Sequence, residues 1–310
     1  MTLNDLLKPL EKLKWILPFL VMGCGVESTP MYRNLEQEIA RCNEQIAQST
    51  MPQTEDELKL DVLVLIDPYF HEWIHSLLVQ DGHLTKKDQK VITWDNEFQG
   101  HGMRVIPREY SVDVSDLSPE EYTTAIVLRH MQGAADFYAG REDLYSRLGK
   151  RIKLQISEIK PFKHEKEDSW FEDMGSYEGG DIIAQARTEF SDHPADLVVI
   201  FSGLELCCVQ RHEGEFISGY TAGGAAAMVD EIGSNYCIQG NSIFRKGEQE
   251  GLIVAHEIGH CWRGMHLPRT EENLKYLMNN TSKGVDLHPA TVDSIVGFFR
   301  KQYADRLDVE

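Results

Sequence analysis

The sequence predicts an α/β fold built on a mixed twisted sheet, because apolar runs of strand length alternate with longer stretches of helical periodicity. Three runs carry the strand signal: Leu58–Ile66 with its core Val62-Leu-Val-Leu-Ile66, the alternating Arg151–Ile159, and Asp196–Ser202 with Leu-Val-Val-Ile-Phe inside it. Between them lie residues 119–148 and 181–190, where apolar side chains recur at the spacing of a helix face. Strand, helix, strand, helix, strand is the order of an α/β sheet.

Taken in order, residues 31–48 are good helix formers, and the polar stretch 49–57 with its proline follows as a linker. Leu58–Ile66 is the first strand, and Asp67-Pro68 ends it and starts a helix. Residues 80–118 look irregular, with glycines, histidines and charges and no sustained period. From Pro119 the apolar positions Tyr122, Ile126, Met131, Ala134, Phe137, Tyr138, Leu144 and Leu148 mark one long helix or a broken pair, closed by Gly149. Residues 291–307 form a closing helix, with Ile295, Phe298, Phe299 and Tyr303 on its apolar side.

The chain has 310 residues, and 31 Lys+Arg against 50 Asp+Glu give a net charge of −19, which excludes a nucleic-acid binder on charge. With 42% hydrophobic and 26% charged residues it has the composition of a folded globular protein. Lys8, Lys12 and Lys14 precede the apolar stretch Trp15–Gly23, which runs into Cys24 in the order of a secretory signal. Val21-Met22-Gly23-Cys24 is similar to a bacterial lipobox, so a lipid anchor at Cys24 and an extracytoplasmic location are expected, with a cytoplasmic protein as the alternative. The organisation expected is therefore a signal or lipoprotein segment over 1–24, a helix and linker over 25–57, and one catalytic domain over 58–310.

Residues 256–266 read His-Glu-Ile-Gly-His-Cys-Trp-Arg-Gly-Met-His. On a helix His256 and His260 share a face one turn apart, so both imidazoles can reach one ion, and Glu257 between them can hold a water. Gly264 lets the chain leave the helix and bring His266 round as third ligand. Three neutral imidazoles leave the fourth position of a zinc ion open, as catalysis requires. A second HExxH, His71-Glu72-Trp73-Ile74-His75, has Asp81 at the tenth position and reads as an ordinary helix. Cys42 reads as a plain helix cysteine rather than a latency thiolate. Disulfide partners among Cys207, Cys208, Cys237 and Cys261 stay open, with a simply buried Cys261 preferred.

The motif His256-Glu257-Ile258-Gly259-His260 through His266, followed by Tyr276-Leu277-Met278-Asn279, resembles the metzincin metallopeptidases, most closely the reprolysin (adamalysin) branch. Weaker similarity extends over residues 58–303. The resemblance implies one catalytic zinc on His256, His260 and His266, Glu257 as general base, and Met278 as the apolar floor of a Met-turn. It further implies a smaller C-terminal subdomain and a protein or peptide substrate laid along an edge strand at Phe216–Ala222. Residues 279–286 would wall the specificity pocket.

The sequence departs from the family at Arg263, where the pattern has glycine, and at Leu267-Pro268, where reprolysins carry an acidic residue. Either the turn shifts by one residue, or Glu271 or Glu272 completes the site in place of His266. The activity expected is zinc-dependent endopeptidase. Its alternatives are a catalytically silent, surface-anchored zinc-binding or interaction module and a zinc peptidase of another branch.

Overall fold

The computed structural model describes residues 35–49, 55–78, 89–99, 102–112, 118–163, 176–212, 215–222, 233–240, 251–268, 270–278 and 284–307. The signal-like segment, Cys24 and Asn279 lie outside the described residues. Among those described, no helix is long and apolar enough to cross a membrane.

The centre is a four-stranded parallel sheet. Its strands are β1 (Glu57–Ile66), β4 (Arg151–Pro161), β6 (Leu197–Phe201) and β9 (Tyr236–Gln239), in the order β4-β1-β6-β9. Two-residue alternation divides these strands between two cores. Leu58, Leu60, Val62, Val64 and Ile66 of β1, Leu197, Val199 and Phe201 of β6 and Cys237 of β9 face one side. Leu63, Leu65, Val198, Ile200, Tyr236 and Ile238 face the other. Strand β6 and the second half of β1 are buried on both faces and apolar throughout, and β9 is so up to Gln239, whereas β4 alternates apolar and polar residues.

The first face is covered by α1 (Leu35–Ser49), α2 (Pro68–Leu78), α3 (Pro119–Ala139), α4 (Glu142–Leu148), α6 (Leu252–Cys261) and α7 (Pro289–Gln302). The second is covered by α5 (Gly179–Glu189), through Ile182, Ile183 and Ala186. The fold is thus α/β, with helices on both faces of the sheet.

The helix over 119–148 is a broken pair. A capping box starts α3: Glu121 N–H donates to Ser118 Oγ at 3.2 Å and Ser118 N–H to the Glu121 carboxylate at 2.9 Å. The break falls at Gly140, and α4 ends in left-handed Gly149, φ 73°. The helix expected over 31–48 forms as α1 and packs on the sheet. Ile39 and Cys42 are buried in the main core, and Asn43 bonds both backbone groups of Ile159 in β4 at 2.8 Å. Among the described residues, α1 is thus part of the packed body ahead of residue 58.

Two departures concern strands. Residues 80–118 are not simply irregular: β2 (Gln89–Gln99) and β3 (Gly102–Val112) form an antiparallel hairpin. Its segments intersperse charges with apolar residues, so no continuous apolar run announces a strand. The segment expected as the sheet's edge strand is β8 (Glu215–Ala222), but it pairs with β7 (Glu205–His212), which also pairs with β5 (Ser176–Glu178), and not, among the described residues, with the parallel sheet. This three-stranded sheet is separate from the parallel sheet among the described residues, and β8 is one of its edges.

Candidate metal centre

Helix α6 is buried along nearly its whole length, which its sequence Leu-Ile-Val-Ala-His-Glu-Ile-Gly-His-Cys foreshadows. It starts at Gly251, φ 81°, against the backbone of α3: a Cβ there would stand 2.5 Å from Ala134 N and His130 O. One turn further on, Tyr138 Oη–H donates to Ala255 O at 2.7 Å. These two contacts fix the height and rotation of α6 against α3.

On this helix His256 is buried and His260 half-buried, one turn apart. His266 comes back to them from the following turn. Its Nε2 lies 3.1 Å from His256 Nε2 and 3.0 Å from His260 Nε2. Among the described residues, these three histidines are the one group that could hold a metal ion. The other ring nitrogens face carbonyls: His256 Nδ1 is 2.6 Å from Leu277 O and His260 Nδ1 is 2.7 Å from Gly264 O. A carbonyl can only accept, so both Nδ1 atoms carry the proton and both Nε2 lone pairs face the common centre.

Burial first, and then the neighbouring imidazoles, hold His256 well below the ordinary histidine range. Burial and then His266 push His260 down to about 4. Both rings are therefore neutral at pH 7, the state that can ligate. Bare nitrogens this close repel one another unless a cation lies between them. Two ligand nitrogens of a tetrahedral ion with bonds of 2.0–2.1 Å sit about 3.3 Å apart, close to the spacings observed. The residues present fit a metal ion.

The turn that delivers His266 resolves the question raised by Arg263. Arg263 N–H donates to His260 O at 3.0 Å and Gly264 N–H to Gly259 O at 2.8 Å, the pair of bonds of a Schellman ending. That ending needs a left-handed residue after the cap, and Arg263 adopts it at φ 67°, the one non-glycine with positive φ among the described residues. The turn has not shifted, and it brings His266 Nε2 within 3.1 Å of the other two rings' Nε2 atoms. Glu271 and Glu272 are exposed on a 3-10 turn and are not in the cluster. Gly233 makes room for the Arg263 side chain, since a Cβ there would come within 3.0 Å of Arg263 Cγ and Nε.

Met278 is fully buried beneath the helix end. A Cβ on Gly259 would meet its Sδ at 2.6 Å, and one on Gly264 its Cε at 3.2 Å. Leu267 N–H donates to Met278 O at 2.8 Å, and Leu277 N–H to Asp286 O at 2.7 Å, tying the turn below to the chain carrying His266. Glu257 is buried at 5% exposure beside His256. Sequence reasoning missed the glycines at 233 and 259, the Tyr138 hydroxyl and the two carbonyls. A glycine at the position before the second motif histidine is the one signal that could have pointed to close packing there.

In the second HExxH, His71 is engaged elsewhere. His71 Nδ1 lies 2.9 Å from Thr123 Oγ1, its Nε2 lies 3.8 Å from the Glu120 carboxylate, and Glu72 is exposed. Cys42 is a core thiol beside Glu38, pushed up to about 11 by burial and then by that carboxylate, so it is no poised thiolate. Cys237 and Cys261 are buried free thiols.

No protein-family model matches this sequence, and no curated protein matches it.

Proposed function

We propose that the chain is a zinc-dependent metalloendopeptidase of metzincin type, similar to the reprolysin branch. The observation that carries the reading is the convergence of three imidazole Nε2 atoms, two of them left unprotonated by the backbone carbonyls that face their Nδ1 atoms, beside the helix that bears Glu257. His256, His260 and His266 would hold the ion. Zinc so held supplies a Lewis acid that polarises a peptide carbonyl and makes water acidic enough to give up a proton near neutral pH.

Glu257 is the group placed to accept that proton and return it to the leaving amine. Met278 touches no reacting atom in this reading. It is a positioning residue, filling the space that the two glycines leave and supporting the turn from which Leu277 O orients His256. The buried carbonyl partners hold two imidazoles before any ion arrives, which lowers the ordering cost of binding.

The identity of the third ligand is the point at which this reading separates from another zinc peptidase branch. Zinc stoichiometry of His266→Ala, Glu271→Ala and Glu272→Ala, measured on the refolded full chain after dialysis against trace zinc, tests it. Zinc falling well below one per chain in His266→Ala alone is expected. Loss in a glutamate variant, with His266→Ala retaining the ion, would overturn the ligand set.

A further inference from the structure

Gly140 breaks the helix over 119–148, and the next residue, Arg141, is the extended N-cap of α4 at φ −83° and ψ 97°. Its guanidinium is held from one side by Asp143, with Nε 3.0 Å from Oδ1 and Nη2 2.5 Å from Oδ2, and Asp143 Oδ1 in turn accepts from Leu144 N–H at 3.0 Å. The fork is thereby fixed to the start of a helix, and the Arg141 side chain is only 18% exposed. Its remaining amino group crosses to a chain 144 residues away: Nη1 donates to Val285 O at 3.0 Å and stands 3.7 Å from the Asp286 carboxylate.

Residues 284–286 are bound to the turn that carries Leu277 and Met278. Val285 N–H and Asp286 N–H both donate to Lys275 O, at 3.0 and 3.1 Å, and Leu277 N–H donates to Asp286 O at 2.7 Å. Gly284 lies close against Tyr276, where a Cβ would come within 2.3 Å of the backbone. From there Leu277 O reaches His256 Nδ1 at 2.6 Å. Leu277, Met278 and Leu287 anchor these segments by burial, but burial is non-directional and sets no position along the chain. The bond from the guanidinium to Val285 O is directional and does.

We propose that Arg141 is a positioning residue of the candidate metal centre, setting the register of residues 284–286 and, through Leu277 O, the orientation of the His256 ring. The inference rests on the reading that His256, His260 and His266 hold an ion. A ligating nitrogen must be aimed to within about 0.5 Å and 10–20°, and the carbonyl on the ring's other nitrogen does the aiming. Lysine is no substitute for Arg141. The guanidinium holds Asp143 with two nitrogens and Val285 with a third in one rigid plane, whereas an ammonium is a single point donor on a flexible stem.

Zinc Kd is measured on the full-length chain by competition with a chelator, for wild type, Arg141→Met, Arg141→Lys and Arg147→Met. Arg147 is the control, since it lies on the same short helix and its ion pair with Asp293 ties α4 to α7. Expected is a Kd weakened by about tenfold in both Arg141 variants, the lower end of what losing an outer partner of a ligating histidine costs, and unchanged in Arg147→Met. A second readout uses the ion-free protein with isotopically labelled histidine. The Nδ1–H signal that vanishes in His256→Gln should exchange with water faster in both Arg141 variants and at the wild-type rate in Arg147→Met. An Arg141→Met that matches wild type in either readout, full affinity in Arg141→Lys, or equal weakening in Arg147→Met overturns the proposal. A wild type that holds no zinc sinks the metal reading instead, and the exchange rates then decide whether Arg141 orients His256.

Discussion

Arg263 holds a backbone conformation that a Cβ disfavours by about 1–2 kcal/mol, and it does so because both Schellman bonds and the anchoring of Leu267 to Met278 demand it. Arg263→Gly removes that strain but loosens the unfolded chain, so a net gain of about 0.5–1 kcal/mol is expected, with zinc content unchanged. Chemical denaturation checks it. The opposite sign is expected of Gly259→Ala, whose new methyl meets Met278 Sδ at 2.6 Å. That variant loses about 1–3 kcal/mol and binds metal more weakly, read by denaturation and by zinc titration. His256, Glu257, His260 and His266 were legible in the sequence because helix periodicity and the ten-residue span follow from local geometry. Arg263 was not, since residue preference argued against the conformation that longer-range bonds impose. The carbonyl of Leu277 was equally hidden, lying 21 residues along the chain from the ring it orients.

Between elements, the contact of α3 with α6 sets where the three-histidine cluster stands. Gly251→Ala would drive a methyl into the α3 backbone at a positive φ, for an expected loss of about 2–4 kcal/mol. Tyr138→Phe deletes the bond to Ala255 O and costs about 1 kcal/mol. His130, on the same helix, is buried with Nδ1 unsatisfied, and burial followed by the charge of Arg129 lowers it to about 3. Its unfolded value is higher, so the neutral ring's contribution is complete above about pH 6.5 and is lost as pH falls toward 3. Stability over that window should fall by up to about 1.4 kcal/mol per pH unit from this group, and His130→Leu should flatten the slope by that share. Denaturation from pH 4 to 7 measures the difference. The sequence made β1, β6 and β4 of the parallel sheet plain, the first two through apolar runs buried on both faces and β4 through its two-residue alternation. It concealed the hairpin of β2 and β3, whose segments mix charged and apolar residues, and the docking of α1, since a helix's own period does not say what it packs against.

Across the whole molecule, the parallel sheet is the rigid frame, and the candidate metal site stands on the helix layer of one face, with Met278 beneath it. An ion that binds only the folded state stabilises it by mass action, about 2.7 kcal/mol at one hundred times its Kd. Chelation should therefore lower the Tm by several degrees, and zinc should restore it. The excess of acidic side chains gives a solvated surface, and the measurement should be made at moderate ionic strength so that surface repulsion does not blur it. The most direct test of a zinc peptidase is zinc content paired with cleavage of a denatured protein substrate, for wild type beside Glu257→Ala, His256→Ala/His260→Ala and His71→Ala/His75→Ala. Expected is about one zinc per chain in wild type, Glu257→Ala and the His71/His75 variant, with cleavage lost in Glu257→Ala and both metal and cleavage lost in the His256/His260 variant. A wild type that holds no zinc, or a Glu257→Ala enzyme that cleaves as fast as wild type, would contradict it.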